Sequence, residues 1–135
     1  ECEMIVNGDV SINGDVSINA DFVNLKGDVS INGNIYVTSG EVHATGGFYD
    51  ESDIRKKDIL SNISLEKSYE LLDKCQEIIY TLKKDPNKKE QVGMIAQEVE
   101  EFFPEIVSTD NNGFKSLDYA RLSVICLRLI KDIVE

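Results

Sequence analysis

Residues 7–37 repeat a hexad, and the repeat limits what the chain can fold into more than any other feature. The first two copies are Asn7-Gly8-Asp9-Val10-Ser11-Ile12 and Asn13-Gly14-Asp15-Val16-Ser17-Ile18. A degenerate copy, Asn19-Ala20-Asp21-Phe22-Val23-Asn24, is followed by Gly27-Asp28-Val29-Ser30-Ile31 and Asn32-Gly33-Asn34-Ile35-Tyr36-Val37. Val10 and Ile12, Val16 and Ile18, Val29 and Ile31, and Ile35 and Val37 sit two residues apart, so each pair shares one face of a short strand. The Asn-Gly pair supplies a positive-φ turn between strands. At roughly three units per coil, about five units make fewer than two coils of a β-helix, too few to bury their own apolar face. Three chains wound about a common axis, Val/Ile face inward, close that face and remove exposed strand edges. A short β-meander packed on the following domain is the other arrangement the pattern allows.

Gly40, Gly46 and Gly47 mark a looser connector up to Phe48 and Tyr49. From Ser52 the composition becomes that of an α+β domain, which gives a repeat stem over 1–51 and a second domain over 52–135. Ser64 caps an expected helix without a capping box, because Lys67 stands at the third position. Leu65, Tyr69, Leu72, Cys75 or Gln76, and Ile79 carry its apolar spacing, and the helix yields to a strand near Gln76. Ile78 to Leu82 and Val92 to Ile95 read as a hairpin around the polar segment Lys83 to Glu90. Ala96 to Phe103 reads as a short helix stopped by Pro104. A second small hairpin is expected from Ile106-Val107 through Asn111-Asn112-Gly113 to Phe114–Leu117. Asp118 then caps a final helix with Leu122, Ile125, Leu129 and Ile133 on one face, still periodic at Glu135. Val124, Leu127, Ile130 and Val134 add more apolar surface than one small domain covers, which points to partner helices from other copies.

The net charge of −11 argues against nucleic acid or an anionic membrane as partner, since both need basic clusters. Eight acids in residues 1–50 face Lys26 alone. No apolar run has the length of a membrane span, and no basic-then-apolar leader is present. The start at Glu1 without methionine suggests a piece of something longer. Cys2, Cys75 and Cys126 are odd in number and far apart, so they read as free or buried thiols of a reducing compartment. His43 stands alone in the connector as a surface side chain, and neither a metal nor a cofactor is expected.

The junction itself, Ser52-Asp53-Ile54-Arg55-Lys56-Lys57, carries a candidate chemistry. Held in a turn, the Ser52 hydroxyl reaches the carbonyl carbon of Glu51 and forms an ester that water hydrolyses. Serine needs a base to take its proton, and Lys57 serves only if burial or neighbouring positive charge keeps it neutral. Arg55 and Lys56 work toward that state and Asp53 against it. The oxyanion at Glu51 also needs preorganised donors. By spacing alone, the same residues read as a turn start with solvated basic side chains.

Three ordered motifs alter the balance. Ser52 to Ile59 (SDIRKKDI), Val92 to Val107 (VGMIAQEVEEFFPEIV) and Ser116 to Ile133 (SLDYARLSVICLRLIKDI) together resemble the C-terminal intramolecular chaperone domain of phage tailspikes, tail fibres and neck appendages, an auto-processing serine peptidase family of the endosialidase type. The resemblance covers roughly residues 50–135 and implies a homotrimeric domain that drives assembly of an upstream β-structured fibre and then cuts itself away. It implies Ser52 as nucleophile, Lys57 as base and Glu51–Ser52 as the scissile bond. Asp53, Arg55, Gly93, Gln97, Glu98, Pro104, Asp118 and Tyr119 match other motif positions, for which structural roles are expected. The family usually carries an apolar residue where Lys56 stands, and many relatives continue beyond the position of Glu135 into a longer coiled helix.

The function expected is a trimeric chaperone with self-cleaving activity in cis, whose partner is the upstream part of the same polypeptide. Its setting is a virion appendage, the chaperone part being released in the host cytoplasm. The alternative is a structural trimerisation cap or fibre tip that stays attached. Sugar binding by the stem rests only on outward Asn, Asp and Tyr side chains.

Overall fold

A computed structural model describes residues 3–135, so Cys2 lies outside the described residues. The chain divides into two units, Glu1–Asp50 and Glu51–Glu135.

Residues 3–50 form no helix and no strand, and every one of them is exposed. The apolar pairs of the hexads, from Val10 to Val37, are 51 to 71 % exposed. The strands expected there are therefore not formed within one chain, and neither is a β-meander. A strand needs a partner for its backbone groups. Gly8 and Gly14 have the positive φ expected of the Asn-Gly steps, whereas Gly33 does not; Gly27, after Lys26, also takes a positive φ.

The second unit is a small mixed α+β domain. It opens with a 3-10 turn at Ile54–Lys56, followed by α1 (Leu65–Lys74), β1 (Glu77–Tyr80), β2 (Gln91–Met94), α2 (Ala96–Glu100), a second 3-10 turn at Pro104–Ile106, β3 (Val107–Thr109), β4 (Lys115–Leu117) and α3 (Tyr119–Ile133). Ser64 caps α1 by accepting the Lys67 amide at 3.2 Å. The buried face of α1 is Ser68, Leu71 and Cys75, while Tyr69 and Leu72 are exposed. That corrects the expected stripe at Tyr69 and Leu72 and keeps it at Cys75, with Leu65 half-buried. Ser68 can take an inward position because its hydroxyl donates to the Ser64 carbonyl at 2.7 Å, leaving no unpaired polar group in the core.

Both expected hairpins form. β1 and β2 pair antiparallel with Ile78 opposite Gly93 and Ile79 opposite Val92; β3 and β4 pair with Val107 opposite Leu117. β1 ends at Tyr80 rather than Leu82, because the Leu82 carbonyl already accepts the Asp85 amide in the turn. α2 ends at Glu100 rather than Phe103. Proline drives its preceding residue out of the helical region, and Phe103 has φ −133 and ψ 72. The Phe102 and Phe103 amides close the helix on the Val99 carbonyl at 3.1 and 2.9 Å. In the second turn Asp110 accepts the Asn112 and Phe114 amides, and Gly113 takes φ +84.

The core joins Leu71, Cys75, Val99, Phe103, Ile106 and Ile125, with Ile63, Met94, Phe102, Val107, Leu117 and Leu122 packed at its margin. α3 contributes Ile125 and Leu129 to the interior, but Ile133, expected on the same face, is exposed in its last turn. The Tyr69 hydroxyl donates to Asp132 at 2.6 Å and Arg128 donates to the Ile63 carbonyl at 3.3 Å, fastening α3 along α1. A core this small leaves a domain of such length marginal on its own. Val124, Leu127, Ile130, Ile133 and Val134 stay at least half exposed on α3. No described helix is long and apolar enough to cross a membrane.

Candidate functional site

The residues expected at the junction meet in one short turn. Asp53 caps the 3-10 turn by accepting the Arg55 amide at 2.9 Å, and the Lys56 and Lys57 amides donate to the Asp53 and Ile54 carbonyls at 3.1 and 3.2 Å. This reversal carries the side chains of Lys56 and Lys57 back along the chain. Lys57 Nζ donates to Ser52 Oγ at 2.5 Å. Lys56 Nζ pairs with Glu51 Oε1 at 2.6 Å. Nucleophile candidate and base candidate therefore stand in direct contact, in a segment whose residues are exposed apart from the half-buried Asp53.

The charges around this contact are locally matched. Arg55 clamps Asp53 through Nε and Nη2, the latter 2.7 Å from Oδ2. The side-chain and backbone hydrogen bonds from Arg55 hold the Asp53 carboxyl below its ordinary range, and Asp53 in turn raises Arg55. Arg55 and Lys56 are thus each engaged by a carboxylate rather than standing as bare positive charges beside Lys57. The Lys56–Glu51 pair was legible as opposite charges five residues apart, the same spacing as Ser52 and Lys57.

The other motif residues build the support of the domain. Gly93 lies on β2, where an added Cβ would sit 2.5 Å from the Tyr119 hydroxyl and 3.0 Å from Tyr80 Cε1. Tyr119, the first residue of α3, accepts the Met94 amide at 2.9 Å. Glu98 on α2 accepts the backbone and side-chain amides of Gln76 at 3.0 and 3.2 Å, closing the bend between α1 and β1. Gln97 stands exposed on α2, and Pro104 opens the second 3-10 turn. Asp118 caps α3 on the Arg121 amide at 3.1 Å and pairs with the Arg121 guanidinium at 2.8 Å. Its own amide donates to the Ile106 carbonyl at 2.8 Å, tying the start of α3 to the core. The contacts of Gly93, Glu98, Asp118 and Tyr119 organise hairpins and helix ends, whereas Ser52 and Lys57 contact each other at the opening of the domain.

A mixed α+β domain that opens on such a turn is compatible with a chaperone domain of the tail-associated type. Residues 52–108 match the family model of peptidase S74, the chaperone of endosialidase, which is the intramolecular chaperone domain that the three motifs resemble. The match begins at Ser52 and ends within β3, before β4 and α3. A comparison with curated proteins gave no match.

Proposed function

We propose that residues 52–135 form an intramolecular chaperone that gathers three copies of the chain, lets the hexads of residues 1–51 wind into a β-stem, and then releases itself by cutting Glu51–Ser52. The observation that carries this reading is the 2.5 Å contact between Lys57 Nζ and Ser52 Oγ, on the residue whose nitrogen forms the peptide bond to be cut. The match to a peptidase family over residues 52–108 supports it.

In the reaction, neutral Lys57 takes the Ser52 hydroxyl proton as Oγ attacks the carbonyl carbon of Glu51. The Ser52 peptide nitrogen then leaves, receives that proton and becomes a free amine, so Glu51 is held as an ester on Ser52 Oγ. Water adds to the ester carbon, Lys57 again taking the proton. Serine leaves with it, and the products are a Glu51 carboxylate and a chain beginning at Ser52. A lysine acts as a base in its neutral form, which burial favours. Lys57 is exposed in the single chain, so covering of the turn by neighbouring copies couples cleavage to assembly. Bringing three extended segments together costs chain entropy before any contact forms. A trimerised cap supplies the effective concentration that offsets it, and cutting removes the nucleus and makes assembly kinetically irreversible. The setting this implies is a viral tail fibre or spike.

Expression of the chain beside Ser52→Ala and Lys57→Met on a denaturing gel tests the cleavage. The unsubstituted chain gives two fragments and both variants stay whole; identical patterns in all three contradict it. Exposure of the turn favours one other reading, a cap that trimerises and stays attached. It predicts a whole, trimeric chain.

A further inference from the structure

The turn holds a second back-reaching contact that the chemistry of Ser52 and Lys57 does not itself use. Lys56 Nζ lies 2.6 Å from Glu51 Oε1, beside the 2.5 Å contact of Lys57 Nζ with Ser52 Oγ. Both contacts span five residues, start on neighbouring lysines and end on the two residues of one peptide bond. The 3-10 turn sets them side by side through the Lys56 and Lys57 amide bonds to Asp53 and Ile54, and Arg55 is occupied by Asp53. Lys56 is therefore the cation that meets the Glu51 side chain.

We propose that Lys56 is a positioning residue for cleavage: by holding the Glu51 carboxylate it restricts rotation of Glu51 and keeps its carbonyl carbon in line with the Ser52 hydroxyl, which makes an acidic side chain preferred immediately before the cut. This rests on the reading of Ser52 and Lys57 as nucleophile and base. An attack of this kind depends on a narrow approach geometry, and free rotation of the carbonyl dilutes it. The side chains of Lys56 and Glu51 are 71 and 65 % exposed. Their pairing is accordingly of the weak, salt-screened kind, and it changes the cleavage rate by about two- to fivefold.

The test follows the full chain after cell-free synthesis, stopped after a short pulse and chased at low or high salt, with the fragment beginning at Ser52 quantified by mass spectrometry. At low salt Lys56→Met and Glu51→Gln each cut about two- to fivefold more slowly than the unsubstituted chain. The double variant is no slower than either single one, and the charge swap Lys56→Glu with Glu51→Lys regains most of the rate. High salt slows the unsubstituted chain to the Lys56→Met rate and leaves Lys56→Met unchanged. A role in folding alone would not follow the charge swap or the salt. If Lys56→Met cuts at the unsubstituted rate at low salt, or if the two single effects multiply, the positioning role is wrong while the dyad stands. If the unsubstituted chain yields no fragment beginning at Ser52, both fall.

Discussion

The Tyr119 hydroxyl rests against Gly93, accepting the Met94 amide at 2.9 Å and standing 2.5 Å from the place a Cβ on Gly93 would occupy. A methyl group there must push apart the β1–β2 hairpin and the start of α3. Gly93→Ala should destabilise the domain by about 1–3 kcal/mol, the usual cost of forcing a methyl group into a packed site. Tyr119→Phe removes the obstructing oxygen along with one hydrogen bond. The pair Gly93→Ala/Tyr119→Phe should then lose clearly less than the two single losses added, as read from urea unfolding curves; strict additivity would mean the two residues do not meet.

Asp118 fixes the beginning of α3. The Arg121 amide, with help from its guanidinium, holds the Asp118 carboxyl below its ordinary range. A depressed pKa means that the ionised form is favoured in the folded state. Its contribution is present above the unfolded value of about 3.9 and is lost as pH falls through the lower folded value. Asp118→Ala should cost about 1 kcal/mol at neutral pH, whereas Asp118→Asn keeps a capping oxygen and loses less. The melting temperature of Asp118→Asn should fall less steeply than that of the unsubstituted domain as pH drops below about 4. Parallel curves would remove Asp118 from the acid response.

The exposed side of α3 should be where copies meet. Val124, Leu127 and Ile130 are 50 to 55 % exposed although they lie on a helix whose opposite side is core. Leu127→Asp leaves Ile125 and Leu129 in place and should convert a trimer to monomers by light scattering while helical circular dichroism persists. A trimer that survives this change places its contacts elsewhere.

How far the sequence revealed this molecule depended on whether the signal was local. Caps and turns were local: Ser64, Asp118, Pro104 and Asn111-Asn112-Gly113 placed element ends within a few residues. The buried face of α1 was not, because Ser68 ranks as polar until its hydroxyl is seen on the Ser64 carbonyl, while Tyr69 and Leu72 count as apolar although the domain covers them only in part. The hexads announced strands whose partners one chain does not supply, so the period was legible and the pairing was not. At the junction, the motif pointed to Ser52 and Lys57 together, and the turn brings their side chains into contact. Lys56 counted there as a positive charge acting on Lys57, because its partner, Glu51, lies just outside the hexapeptide.

Intact-mass measurement of the purified protein beside Ser52→Ala decides whether the chain itself cuts between Glu51 and Ser52. The unsubstituted chain should give one species ending at Glu51 and one beginning at Ser52, and Ser52→Ala only the full-length mass. A full-length mass for both, or the same fragments from both, would contradict it.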